Sequence, residues 1–373
     1  MSSFQKRNLT NKIKKMAKEI GFDLVGITTA EPFSKAYQVI KNRNLNKFIK
    51  NDKVLLTHPK NHLESAKSII ALALSYASSD ISNQRNQYIS LYARSKDYHL
   101  IMEEKMQEII DYLYKIVPNF KSKAYCDTGS ILDREVAYRA GLGWIGKSNN
   151  LINPVFGSYI VLGEIITNID LIYDEPMQSR CNECSLCIDK CPAKAFKAPL
   201  HLDSEKCLSY ITQKKGYLGE TERNSIGNNL WGCDTCLSIC PYNKKIPLDR
   251  HPEFKPKIEA DSKQILELTK NNLTEAWKES AITWRGLRIL KRNTLINMAN
   301  KPEINNLPIL IKELKNPSPV LRTYVVWALG EIKDNSISNI LRKHYYSEKD
   351  ENVLKEIKKL FKKKKSHWGE LDD

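Results

Sequence analysis

The sequence predicts an α+β, multidomain chain. An α/β domain is expected over residues 1–172, a small cysteine-dense domain over 173–250, and a linker with a C-terminal α-helical repeat domain over 251–373. Three observations carry this. Helix-period and strand-type segments alternate through the first 172 residues. Eight of the nine cysteines lie between Cys181 and Cys240. RNTLINMAN (292–300) aligns with RTYVVWALG (322–330), with Leu295/Ile296 matching Val325/Val326.

The elements follow in order. Leu9, Ile13, Met16, Ala17 and Ile20 recur at helical spacing and predict an amphipathic helix. FDLVGIT (22–28) predicts a strand, and SIIALALSYA (68–77) a buried one. Met102, Met106, Ile109, Ile110, Leu113 and Val117 make one stripe of a second helix over 101–117. AYCDTG (124–129) is expected as a short strand ending at Asp127, DREVAYRA (133–140) as a helix, and GSYIVLGEIITNI (157–169) as a strand. Cys-Pro pairs and short loops dominate the middle, and the charged, Pro-containing DRHPEFKPK (249–257) makes the linker. A further, less regular unit over 337–361 extends the repeat into a short HEAT-like solenoid of helix pairs. Its last helix ends in VLKEIKKLFKKKK (353–365), read equally well as a solvated face or a nucleic-acid contact.

Composition bounds the function. Of 373 residues 41% are hydrophobic, enough for real cores. The longest apolar stretch, Ser68 to Ala77, is half of the roughly 20 residues a membrane-spanning helix needs. The N-terminus lacks the apolar run and cleavage site of a secretory signal, so a cytoplasmic location without membrane association is expected. The formal charge of +16 points to a polyanionic partner. A monomer is expected, because no exposed heptad pattern is present.

GLGWIGKS (141–148) matches the phosphate-cradling pattern G-x-x-x-x-G-K-[ST]. That motif needs a strand before it and a helix after it. Here a charged helical segment precedes it, and NNLINPVFG, with a Pro and a Gly, follows. A Gly-rich turn that lets the backbone approach something bulky is the better reading.

The cysteines carry the strongest signal. Cys181-x2-Cys184-x2-Cys187-x3-Cys191-Pro192 is the run of bacterial two-cluster ferredoxins, and Cys207 with Cys233-x2-Cys236-x3-Cys240-Pro241 supplies a second half. Eight thiolates suit two [4Fe–4S] clusters in a ferredoxin-like two-cluster module. The x2 spacing lets one loop supply three corners of a cube, and the x3 step swings the Cys-Pro thiolate toward the other cluster. Cys181, Cys184, Cys187 and Cys240 are therefore assigned to one cluster, and Cys191, Cys207, Cys233 and Cys236 to the other. Zinc usually takes two separated pairs instead. Cys126 is left over as a buried, inert thiol. Two such clusters imply a redox centre in the N-terminal domain.

With these motifs the chain resembles the epoxyqueuosine reductase family, iron–sulfur and cobalamin enzymes that finish queuosine in tRNA. The resemblance runs over CDTGSILDREVAYRAGLGWIGKSNNLINPVFGSYIVLGEI (126–165), the eight cysteines, CLSYITQKKGYLG (207–219), WGCDTCLSICPYNK (231–244) and TWRGLRILKRN (283–293). It implies reductive removal of an epoxide oxygen at the wobble base of the anticodon stem-loop, fed by an external electron donor. It implies cobalamin in the N-terminal domain, beside the ferredoxin-like module. Asp127 matches the family's proton donor, an acid best suited to the task if burial raises its pKa; Asp133 is the alternative. Ser90, Leu151, Leu162, Ser209, Cys233 and Asp234 match corrin-facing positions, with Asp127 beside them. Leu56 and Leu91 stand where the family often has Arg, which removes polar contacts to the corrin side chains. Lys215 matches a tRNA-contacting position, and Arg285 and Arg292 extend a basic stretch with Arg288 and Lys291. The competing reading is a dehalogenase-like corrinoid reductase of a small molecule, which would not need the lysine-rich tail.

Overall fold

A computed structural model describes residues 2–43, 48, 52–82, 87–127, 129–259 and 261–371, which form two compact units. The first comprises Met1–Ile81, Ser95–Glu205 and Asp234–Pro256; the second comprises Ser82–Arg94, Lys206–Cys233 and Lys257–Asp373. No helix among the described residues is long and apolar enough to cross a membrane.

The first unit opens with α1 (Ser3–Ile20), whose start is fixed by reciprocal capping. Ser2 Oγ accepts the Gln5 N–H, and the Gln5 side chain accepts the Ser2 N–H. Gly21 ends it at φ +105°, and its N–H returns to Ala17 and Lys18. Strands β1 (Leu24–Thr29), β2 (Ser68–Ser75), β3 (Ser122–Tyr125) and β6 (Ile160–Thr167) form one sheet in the order β1-β2-β6-β3. Every neighbouring pair is antiparallel, so this unit is α+β and not the α/β domain expected. Both faces are nonetheless covered, which is why all eight residues of β2 are buried.

Register decides what each face meets. Leu72 pairs with Gly163, and that face receives α2 (Tyr98–Ile116). A Cβ on Gly163 would meet the side-chain ends of Met102 and Met106 at 2.6 and 3.1 Å, so any larger residue there would push these methionines aside. Ala71 and Tyr125 both pair with Glu164 on the opposite face, where α3 (Asp133–Arg139) packs Val136, Ala137 and Ala140 against Ile69, Ala71 and Ala73. Asp23 is buried at the edge of this unit. It accepts from Ser75 N–H at 2.7 Å, Arg250 at 2.6 Å and His251 at 2.7 Å. Burial alone would raise its carboxyl, but these donors outweigh burial and hold it below its ordinary value.

GLGWIGKS folds as a tight antiparallel hairpin, β4 (Trp144–Ile145) against β5 (Leu151–Ile152). No helix follows Ser148, so the phosphate-loop pattern is rejected on geometry. The bulky neighbour of the turn is protein: a Cβ on Gly143 would lie 2.3 Å from the Ile152 carbonyl oxygen.

In the second unit, α4 (Leu208–Gln213) and the short strand Asn229–Trp231 pack on α5 (Leu287–Asn300). Helices α5, α7 (Pro319–Glu331) and α9 (Glu351–Lys363) pack in succession, with α6 (Leu307–Glu313) and α8 (Ser336–Ser347) between them in the chain. The two copies of the thirty-residue repeat fall on α5 and α7, the pair that packs most closely in this unit.

Candidate active site

The cysteine loops of the first unit are short turns that end in Cys-Pro. Cys181, Cys184, Cys187 and Cys240 line one cavity, together with Lys147, Ser148, Cys236 and Tyr242. None of these cysteines is in a disulfide. Burial and the neighbouring sulfurs push the Cys187 thiol up. Burial likewise raises Cys240, against N–H donors from Tyr242 and Asn243. Five thiols, Cys236 included, face this cavity; so many thiolates cannot all ionise without a cationic group among them, so the donor set fits iron–sulfur chemistry. Among the described residues no three His, Cys, Asp or Glu side chains converge closely enough for a single metal ion. Cys236 Sγ accepts from Asn150 Nδ2 at 3.5 Å, and Cys191 Sγ from the Ala195 N–H at 3.3 Å. Cys207 and Cys233, in the second unit, are half-buried.

The second constellation surrounds Asp127. Strand β3 stops at Tyr125, two residues before the expected end, and the expected span also includes Thr128, which lies outside the described residues. Cys126 is buried, and burial raises its thiol well above the usual range. Asp127 then turns left-handed at φ +54°. Its carboxylate is 67% exposed, contrary to the burial expected of it. Tyr98 Oη donates to Asp127 Oδ2 at 2.6 Å, and His99 Nε2 lies 3.9 Å from the same oxygen. Tyr98 and His99 stack with centroids 4.1 Å apart. Both sit in the first turn of α2, whose cap, Asp97, accepts the His99 N–H and bonds His99 Nδ1 at 2.7 Å. Burial lowers the His99 pKa, but the hydrogen bond and charge of Asp97, then Asp127, raise it overall. The imidazole therefore favours its charged form beside Asp127.

Beneath this loop lies a second pair of acids. Asp133 Oδ1 accepts the Asp127 N–H at 3.1 Å. Asp133 is hydrogen-bonded to Glu164, which is 1% exposed on the central sheet face. Burial, then the charge of Asp127, pushes the Asp133 carboxyl up to about 6. Burial, then the charge and hydrogen bond of Asp133, raises Glu164 well above its ordinary value. The raised acid the chemistry calls for is thus in the pair behind Asp127. Tyr98, His99 and Glu164 were not singled out from the sequence, although a lone acid inside IVLGEIIT was a visible signal.

Two family models match the chain. One is the 4Fe-4S double cluster binding domain, over residues 180–243. The other is "Epoxyqueuosine reductase QueG, DUF1730", over residues 57–128. A curated epoxyqueuosine reductase of Bacillus anthracis is 38% identical over 356 residues, covering 91% of this chain and 93% of that one. The chain belongs to the epoxyqueuosine reductase family. It is therefore an oxidoreductase with a double [4Fe–4S]-cluster domain. Among solved structures, an epoxyqueuosine reductase with an epoxyqueuosine-modified tRNA-Tyr stem loop superposes with a TM-score of 0.90 at 34% identity, covering 95% of this chain and 98% of that one. The Bacillus subtilis epoxyqueuosine reductase, with its catalytic aspartate loop swung out of the active site, gives 0.91 at 33%, with coverage of 95% and 98%.

The remaining expected positions divide by exposure. Ser90, Leu151 and Asp234 are buried, at 1%, 3% and 4%, while Leu162 and Ser209 are half-buried. The Leu56 and Leu91 side chains, which stand where the resemblance leads to an expectation of Arg, are also buried. Lys215 is exposed. Arg285 is partly exposed, donates to the Gln213 carbonyl at 3.2 Å and lies 4.3 Å from the centre of the Trp284 ring. Arg292 corrects the sequence reading. It is fully buried, and its guanidinium donates to the carbonyls of Lys214 at 2.5 Å, Gly216 at 3.1 Å and Thr212 at 3.3 Å and to Asn293 Oδ1. Its donors are spent on the backbone of the 211–216 segment, so it cannot meet phosphate. It anchors the turn that presents Lys215.

Proposed function

We propose that this chain removes the epoxide oxygen of epoxyqueuosine at the wobble position of tRNA, with Asp127 giving the proton that the departing oxygen requires. The Tyr98–Asp127–His99 constellation carries this reading. An exposed carboxyl on a left-handed turn, held by a phenol at 2.6 Å and flanked by an imidazole, is placed to meet an external substrate. Loss of the oxygen as water takes two electrons and two protons. Two [4Fe–4S] clusters each carry one electron, which suits that demand. The spacing assigns Cys181, Cys184, Cys187 and Cys240 to one cluster and the other four cysteines to the second, and the cavity that the first four line together with Cys236 supports cluster binding there.

Cobalamin, when bound, supplies a strongly reducing cobalt. Leu162 and Ser209 keep accessible surface for it, whereas Ser90, Leu151 and Asp234 would meet a corrin through backbone groups. Around that chemistry the chain's own part is to orient and protonate. His99, inclined to its charged form, is a donor from which Asp127 can be reprotonated through solvent. Tyr98 fixes the carboxyl oxygen. The relative seen with this loop swung out supports a loop that opens and closes here as well.

The relative bound to a tRNA stem loop supports tRNA as the partner. Lys215 gives a phosphate contact, and the Trp284–Arg285 pair, with Trp284 55% exposed, offers a stacking surface for an unpaired base. The helices α5 to α9 form a HEAT-like array behind them. The function is tested by loading the protein anaerobically with clusters and cobalamin and supplying epoxyqueuosine-containing tRNA and a low-potential reductant. The reading expects the nucleoside to lose one oxygen by mass; a nucleoside unchanged after full cofactor loading would overturn it.

A further inference from the structure

Asp127 is held at φ +54°, in the left-handed region that residues other than glycine adopt uncommonly. Such a turn persists only where its surroundings restrain it. One restraint is the Tyr98 hydroxyl on the side chain. The other, on the backbone, is Asp133, whose Oδ1 accepts the Asp127 N–H at 3.1 Å. Asp133 stands in the first turn of α3, and its partner Glu164 stands on β6, directly paired with Tyr125 at the end of β3. Glu164 is thus fixed by the sheet, Asp133 by the helix, and Asp127 hangs from the pair.

Two hydrogen-bonded carboxyls need a proton between them. Glu164 Oε1 is buried and has no hydrogen-bond partner among the described residues. A charged Glu164 would leave that oxygen uncompensated, which costs several kcal/mol, so the proton belongs on Glu164 and the negative charge on Asp133. A charged acceptor holds an N–H about twice as strongly as a neutral one. Among the described residues, the groups that face the pair offer no cation in direct contact. They are the Cys126 thiol, the Tyr125 phenol, Asp127 itself and, farther off, Asp97 with its partner His99. The Tyr125 hydroxyl is engaged with His62 Nδ1 at 3.0 Å.

We propose that Asp133 and Glu164 form a latch for the loop of Asp127, a carboxyl pair, half-buried at Asp133 and buried at Glu164, that shares one proton and fastens the loop through the Asp127 backbone N–H. Both are positioning residues. Protonating Asp133 at acid pH weakens the acceptor, and ionising Glu164 at alkaline pH sets two charges against each other; either change frees the loop. Only the link to turnover rests on the reading of Asp127 as proton donor.

Hydrogen–deuterium exchange at the Asp127 amide tests the latch in the cluster-loaded full chain, across pH and after correction for intrinsic exchange. Asp133→Asn should exchange at least tenfold faster than wild type at neutral pH. Glu164→Gln, which can donate to Asp133 but cannot ionise, should keep its protection at alkaline pH where wild type loses it. Turnover by Asp133→Asn should fall in kcat with KM for tRNA unchanged. Wild-type protection in Asp133→Asn, or the same alkaline loss in Glu164→Gln as in wild type, would overturn the latch. Should Asp133→Asn not fold, the Glu164→Gln profile decides alone. If Asp127→Asn kept full turnover, the proton-donor reading would fall while the exchange experiment still decided the latch.

Discussion

At the scale of single residues, the acids divide the labour between exposure and burial. Asp127 is open to solvent and can meet a substrate, whereas Asp133 and Glu164 are enclosed and hold a proton. The enclosed pair has a consequence for stability. The folded Asp133 carboxyl titrates at about 6, against an ordinary value of about 3.9. Between those values the folded chain holds a proton that the unfolded chain has lost, so this group's contribution to stability declines as pH rises from about 4 through 6. Asp133→Asn should remove that decline, seen as a wild-type minus variant difference in unfolding free energy, measured by urea titration, that shifts by about 2–3 kcal/mol across this range. A difference independent of pH would contradict the assignment. The sequence already singled out Asp127 through CDTG and Asp133 as its alternative. It could not show that the first is exposed and the second half-buried against Glu164, because that follows from β3 stopping at Tyr125 and from the pairing of Tyr125 with Glu164.

At the scale of elements, the segments with strong periodicity were legible. The helices α1 and α2 and the wholly buried β2 stand close to where their patterns put them. Strand direction was not legible. An apolar run such as β2 says that both faces are covered, and an antiparallel sheet between two helical layers satisfies that as well as a parallel one. The GLGWIGKS hairpin was legible in part: Pro154 and Gly157 argued against a following helix, but the turn packs on its own strand rather than on a ligand. Arg292 misled because a basic stretch on a helix has two faces, and α5 turns this one inward. Between α7 and the end of α8, Arg322 binds Glu348 with two bonds of 2.7 Å. Burial alone would raise Glu348, but Arg322 and the N–H groups of Asp350 and Lys349 hold it down at about 2. This stabilisation is present above the ordinary glutamate range and is lost as pH falls toward 2. Glu348→Gln should lower stability at pH 7 by about 3 kcal/mol, since it leaves a largely buried guanidinium without its countercharge, and should flatten acid unfolding of the helical array. Circular dichroism against pH checks both.

At the scale of the whole molecule, the charge of +16 and the eight-cysteine pattern narrowed the function before any coordinates were considered. The charge has a measurable use. Lys215 is exposed on a turn that the buried Arg292 holds in place. Lys215→Ala should weaken tRNA binding uniformly across tRNA sequences and reduce the slope of log K against log salt by about 1. An unchanged slope would remove Lys215 from the phosphate contacts. The double-cluster domain was legible because the cysteine spacing encodes the wrapping of a cube. The acid pair behind the active-site loop was not, because it joins α3 to β6 across the fold.

The account turns on one group, and a single-turnover experiment addresses it. Asp127→Asn keeps the size of the side chain and can still meet the Tyr98 hydroxyl through its amide oxygen, but it cannot give up a carboxyl proton. With iron, sulfide and cobalt contents equal to wild type, it should convert epoxyqueuosine-containing tRNA at a rate lower by on the order of 10²–10⁴. Conversion at the wild-type rate by the fully loaded variant would show that the proton comes from elsewhere.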